Sequence, residues 1–137
     1  MKSRDTIVRL KRFQVEEKRR RVAQIEMMMA DFNRIAAELD REIAHEEQKS
    51  GISDPQHFAY STYARAASQR RDNLRRSAED LTAQLDEAKA DLGEAFEELR
   101  KAESLEDRER ASERAAEALR DGVMASHGGA RSLRASA

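Results

Sequence analysis

Apolar residues recur every three or four positions along most of this chain, and no other feature limits its fold so strongly. From about Ser3 to Lys49, steps of four and three pass through Val8, Lys11, Val15, Lys18, Val22, Ile25, Met29, Phe32, Ala36, Leu39 and Ile43; nine of these eleven are apolar. A seam of period about 3.5 residues is what a coiled-coil helix turns toward another helix. Ile7, Leu10 and Phe13 form a competing stripe beside its first third, where the two lysines fall. A second seam runs through Leu74, Ala78, Leu81, Leu85, Ala88, Leu92, Ala95, Leu99 and Ala102, all nine apolar. Its alternation of Leu and Ala lets two helices approach closely. After Ala102 the phase slips to Leu105, then to Ala111, Ala115, Ala118 or Leu119.

A narrow seam suits the composition. Charged residues make up 39% of the chain, aromatics 4%, and there are 23 alanines. Without periodicity that mixture would read as disorder; with it, the reading is a coiled coil. Too few bulky residues remain for a thick core around a cleft. No Ser–His–Asp order, Gly-rich phosphate loop or pocketed carboxylate pair can be assembled, so no enzyme and no cofactor are expected. His45 stands beside Glu46 and Glu47 with no ligand at the i, i+4 spacing, which reads as a solvated histidine and no metal site. The absence of cysteine excludes disulfides and fits a reducing compartment. No apolar run approaches the roughly 20 residues that span a bilayer, and residues 1–12 lack a signal peptide's apolar stretch. A cytoplasmic protein is expected.

Gly51 follows the first seam and suits a residue of positive φ just past a helix end. Asp54 and Pro55 could cap and open a second helix, while Ser61 or Thr62 offer a later start. The expected organisation is a hairpin over residues 1–121: a helix over about 3–49, a turn over about 50–54 or 50–61, and a helix over about 55–121. Gly93 interrupts the second seam at a cost of about 1 kcal/mol against Ala, and its place beside Leu92 suggests a close helix contact. Residues 122–137 have no period and three further glycines, and read as a disordered tail.

A short connector makes neighbouring helices antiparallel. Charge points the same way. Residues 1–21 carry nine basic and three acidic residues, and the stretch they would face, 83–103, carries three basic and seven acidic. Residues 22–49 carry three basic and seven acidic, against five and three in 55–82. Parallel self-pairing would set the basic blocks side by side. The second helix should outlast the first by about 10–20 residues at about 1.5 Å each.

Two clusters are candidates for partner contacts. Lys18, Arg19, Arg20 and Arg21 form the strongest basic run, with Lys11 and Arg12 before it. Nucleic acid, an acidic protein or lipid head groups would suit such a run, and so would simple pairing with the acidic second helix. The interleaved aromatics that stack bases are missing. Phe58, Tyr60 and Tyr63 hold half the aromatics of the chain within six residues, followed by Arg65, Arg70, Arg71, Arg75 and Arg76. They either pack the hairpin tip or present an aromatic–arginine patch of the kind enriched in binding hot spots. Met27, Met28 and Met29 cover more than one helix face, so one should be core and another an adaptable contact. Phe96 lies off the seam and could widen the core.

Three stretches bear a resemblance. The opening Ser3-Arg4-Asp5-Thr6-Ile7-Val8-Arg9-Leu10, the run DFNRIAAELDREIAHEE over residues 31–47 and DPQHFAYSTYA over residues 54–64 resemble the FliJ family of bacterial flagellar type III export, in its alphaproteobacterial form. The family's common opening, with alternating Phe and Leu, is absent as such. The resemblance covers about residues 1–121. It implies an antiparallel coiled coil like the stalk of rotary ATPases. It also implies a role in flagellum biogenesis and motility, with the paired chain ends entering the export ATPase ring. Lys11, Arg12 and Lys18 to Arg21 would lie at that end. The family also binds the cytoplasmic part of the export gate and export chaperones, coupling ATP hydrolysis to secretion. By loose alignment those contacts fall on Leu39, Ile43, His45, Tyr63, Ala67, Arg70 and Leu74, with Phe58 and Tyr60 beside them. A chain of this kind would be peripheral to the membrane at most. The alternatives are a coiled-coil spacer or adaptor with no ATPase partner, and a basic-helix nucleic-acid binder.

Overall fold

The computed structural model describes the backbone of residues 2–136 and the side chains of residues 3–125. Two helices, α1 (Lys2–Ser50) and α2 (Thr62–Ser136), pack against each other as an antiparallel hairpin, with no strand among the described residues. The chain divides into a terminal unit, Met1–Val15 with Glu94–Ala137, and a turn unit, Glu16–Gly93.

The helices end for local reasons. Asp5 in the first turn of α1 and Lys49 in its last turn oppose the helix dipole. Gly51 adopts φ 76° and its N–H donates to Glu47 O at 2.9 Å, closing α1 with a left-handed cap. Asp54 then accepts from the Gln56 N–H through Oδ1 at 2.9 Å and from the His57 N–H through its carbonyl at 3.0 Å. That makes one turn, not a helix start. The chain must still carry Tyr60 inward, where it is 6% exposed. α2 opens after it, capped by Ser61, whose Oγ accepts the Ala64 N–H at 3.2 Å. Of the two starts open on sequence, the later is the one adopted, and residues 55–60 belong to the connector.

The turn unit holds two apolar clusters. Leu39, Ile43, Tyr60, Ala64 and Ala67 form the first, with Ile35, Ile52 and Leu74 packed against it. Val22, Ile25, Leu81 and Ala88 form the second, flanked by Met29, Phe32, Leu85 and Leu92. Met29 is therefore the core methionine, while Met27 and Met28 are exposed. In the terminal unit Val8, Val15 and Ala95 are buried, and Phe96 is half-buried. Ile7, Leu10 and Phe13, the competing stripe, face outward. Gly93 is not a close contact: a Cβ there would meet nothing within 4 Å. The tail expected over 122–137 continues α2 as far as Ser136; residues 122–125 are exposed, and the side chains of 126–137 lie outside the described residues.

Candidate interaction surfaces

The residues expected to touch export partners part into two sets. Leu39, Ile43, Tyr60 and Ala67 are buried in the first cluster and Leu74 is half-buried beside it. All five hold the helices together; the four buried ones are closed to a partner, while Leu74 keeps a partly open face. His45, Phe58, Tyr63 and Arg70 are exposed.

Phe58 is the most accessible large apolar side chain among the described residues of the turn unit, at 96% exposure. Its ring stacks on His57 at 4.8 Å between centroids. The segment carrying it is tied on both sides. His57 Nδ1 accepts the Ala59 N–H at 3.0 Å. His57 O accepts the Tyr60 N–H at 3.0 Å. Arg65 lies over the Tyr60 ring at 5.6 Å and donates to Pro55 O at 3.2 Å. The Tyr60 hydroxyl donates to Glu47 at 3.1 Å, and its pKa is raised, first by burial and then by that carboxylate. Phe58 thus projects from a fixed base.

Next along the hairpin, Glu38, Arg41, Glu42, His45, Glu46 and Tyr63 line an open cleft of about 480 Å³. The Tyr63 hydroxyl donates to Glu42 at 2.8 Å, and this acceptor raises its pKa. Among the described residues no group of three His, Asp or Glu is placed to hold a metal ion. Below the cleft Asp40 of α1 takes two arginines of α2. Arg71 donates at 2.9 Å, which raises its pKa, and Arg75 takes the other oxygen. Arg71 and Arg75 are therefore cross-helix ties, whereas Arg70 and Arg76 face outward.

The basic residues expected at the ATPase end fall in both units. In the terminal unit Lys11 pairs with Glu98 at 2.8 Å and Arg12 with Glu103 at 3.5 Å, and Arg4 pairs with Glu109. Lys11 holds the Glu98 carboxyl below its ordinary range. In the turn unit Arg19 pairs with Glu16 at 3.6 Å and Arg21 donates to Gln84 at 3.5 Å, while Lys18 and Arg20 are exposed. The basic-to-acidic matching of the two helices is thus made of individual contacts.

Sequence reasoning missed the Asp40–Arg71–Arg75 tie and the Glu42–Tyr63 bond, because each joins residues about thirty or twenty positions apart through a register that only the turn fixes. No helix among the described residues is long and apolar enough to cross a membrane. No family model matches the chain, and neither do curated proteins or solved structures.

Proposed function

We propose that this chain is a non-enzymatic coiled-coil component of the flagellar type III export apparatus. In this reading it is a stalk-like partner of the export ATPase and an escort for export chaperones, and it couples ATP hydrolysis to secretion. The chain would act in the cytoplasm, with at most peripheral attachment at the inner face of the membrane through the apparatus. One observation carries the reading beyond the resemblance of residues 3–10, 31–47 and 54–64. Both units carry ion pairs between the helices, but only the turn unit adds an aromatic, Phe58, that is 96% exposed on a hydrogen-bonded connector. A coupling element needs two distinguishable contacts, and a plain spacer does not.

On this reading Arg12, Lys18 and Arg20 meet the ATPase, and Phe58, Tyr63, His45 and Arg70 meet the gate or the chaperones. Exposed arginine and aromatic side chains are the groups that carry binding energy at such contacts. The test is co-purification with an export ATPase at physiological salt together with stimulation of its hydrolysis. Binding with stimulation supports the coupling role. If neither occurs, the reading fails and a spacer or adaptor without an ATPase partner takes its place.

A further inference from the structure

Residues 53–59 of the connector are exposed throughout, while Ile52 before them and Tyr60 after them pack in the first apolar cluster. No buried side chain holds the segment that carries Phe58, so its order rests on polar contacts. Four hydrogen bonds shape it locally. Asp54 accepts from the N–H groups of Gln56 and His57, and His57 accepts from those of Ala59 and Tyr60. Such bonds set the path of the chain but do not fix it against the helices.

Among the described residues one hydrogen bond reaches this segment from a helix. Arg65 of α2 donates through Nη2 to Pro55 O at 3.2 Å. The same guanidinium lies over the Tyr60 ring, 5.6 Å from its centroid. That ring is buried and its hydroxyl is bonded to Glu47, so it gives the cation a fixed support. Pro55 precedes Phe58 by three residues and Tyr60 follows it by two. One side chain thus holds the segment on both sides of the exposed ring. Arginine suits the task, because its planar fork can donate in one direction while its face rests on an aromatic ring. A lysine ammonium is a point charge without that plane.

We propose that Arg65 is the positioning residue for Phe58. It keeps the ring in the place from which a partner takes it, so that little order is left to impose on binding. The inference rests on the reading of Phe58 as a partner contact and adds the group that keeps this contact ready. Arg65 acts through the connector and is not itself the contact.

The experiment uses Arg65→Met and Arg65→Lys in the full chain. The reporters are the Ala59 and Tyr60 amides, which are bonded to His57. Their hydrogen exchange, followed by NMR, should quicken at least about tenfold in Arg65→Met, the size of change expected when a charge-assisted bond is lost. The amides of Ile25 and Leu81, in the second cluster, should stay within about threefold of the native rate. Arg65→Lys should not restore native exchange at residues 59 and 60. Unchanged exchange at these two amides in Arg65→Met overturns the proposal. So does equal acceleration at Ile25 and Leu81, which would make the contact one of general stability, and so does native behaviour in Arg65→Lys.

Binding separates positioning from direct contact. The cytoplasmic domain of an export gate, titrated calorimetrically, should bind Arg65→Met at least about fivefold more weakly than the native chain. In a chain already carrying Phe58→Ala the same substitution should change nothing further. A loss that persists without Phe58 makes Arg65 the contact and overturns the positioning role, as does full affinity in Arg65→Met where Phe58→Ala has lost it. A gate domain that ignores the native chain counts against the proposed function, and the exchange rates then decide alone whether Arg65 orders the connector.

Discussion

Arg71 of α2 donates through Nη1 to Oδ1 of Asp40 in α1 at 2.9 Å. Arg71 also pairs with Asp72, and Arg75 takes the second oxygen of Asp40, so one carboxylate ties two turns of α2 to α1. The Arg71 side chain is only 24% exposed, which screens this pair less than its neighbours. Asp40→Ala is expected to destabilise the hairpin by about 1 kcal/mol. Glu38→Ala, which breaks a pair to the more exposed Arg34, should stay within about 0.5 kcal/mol. Urea unfolding followed by circular dichroism separates the two.

Packing at the seam differs along the turn unit. Ile25 is 1% exposed, and Ile25→Ala should cost about 2–4 kcal/mol through lost burial and the cavity left behind. Ala64 is 0% exposed among Leu39, Ile43 and Tyr60, where the helices leave no room. Ala64→Leu should cost about 1–3 kcal/mol by overpacking, although it adds apolar surface. Thermal unfolding of both variants checks the pair; a stabilised Ala64→Leu would show that the helices can separate there.

Backbone substitutions should act in opposite directions. Gly51→Ala forces a side chain into φ 76° and is expected to cost about 1 kcal/mol. Ser61→Ala removes the cap on Ala64 and should cost a similar amount, about 1 kcal/mol. Gly93→Ala, in an exposed helical position with open space around it, should stabilise by about 0.5–1 kcal/mol. Unfolding midpoints of the three variants give the signs directly.

Stability should fall at both ends of the pH scale, for different residues. The Glu98 carboxyl titrates lower when folded, because of Lys11. Its contribution is present above the unfolded carboxylate value of about 4.3 and is lost as pH falls through the folded one. Tyr60 and Tyr63 titrate higher when folded, Tyr60 chiefly through burial and Tyr63 through Glu42. Their contribution is whole below about pH 10 and is lost as pH rises through the folded values. Lys11→Met should flatten the acid limb and Tyr60→Phe the alkaline one, measured by urea unfolding across pH.

Phe58→Ala should change stability by less than about 0.5 kcal/mol, because the side chain contacts little beyond His57. If the turn unit binds a gate or chaperone as proposed, the same substitution should weaken that complex by about 2 kcal/mol. Calorimetric titration of the purified partner with both forms makes the comparison; equal affinities would remove Phe58 from the contact.

The hairpin was legible because a seam is a local signal. Val8, Val15, Val22, Ile25, Ala36, Leu39 and Ile43 are all buried where steps of four and three place them. Lys11 sits in the same phase and stays solvated by reaching Glu98, so it tells against a seam in composition but not in geometry. The turn was harder. Asp54-Pro55 and Ser61-Thr62 both carry capping chemistry, and what decides between them is the burial of Tyr60, a contact with the other helix that no local pattern encodes. Tyr60 and Phe58 have similar surroundings in the sequence, yet one is 6% and the other 96% exposed. Ala64 and Ala67 escaped the seam count, which began at Leu74, because alanine alone does not mark a face here: Ala66, between them, is exposed.

The seam also bears on how such a chain can change through descent. Its side chains meet in a pattern that repeats, with small and large residues taking turns along α2. Deleting or inserting matched heptads in both helices would leave each remaining neighbour with the kind of neighbour it had before. Length is therefore nearly neutral, free to be tuned by whatever spans the molecule must bridge. The segment from Gly51 to Ser61 has no such freedom, since every bond there names its partner. Relatives should accordingly differ by multiples of seven along the helices and hardly at all in the turn.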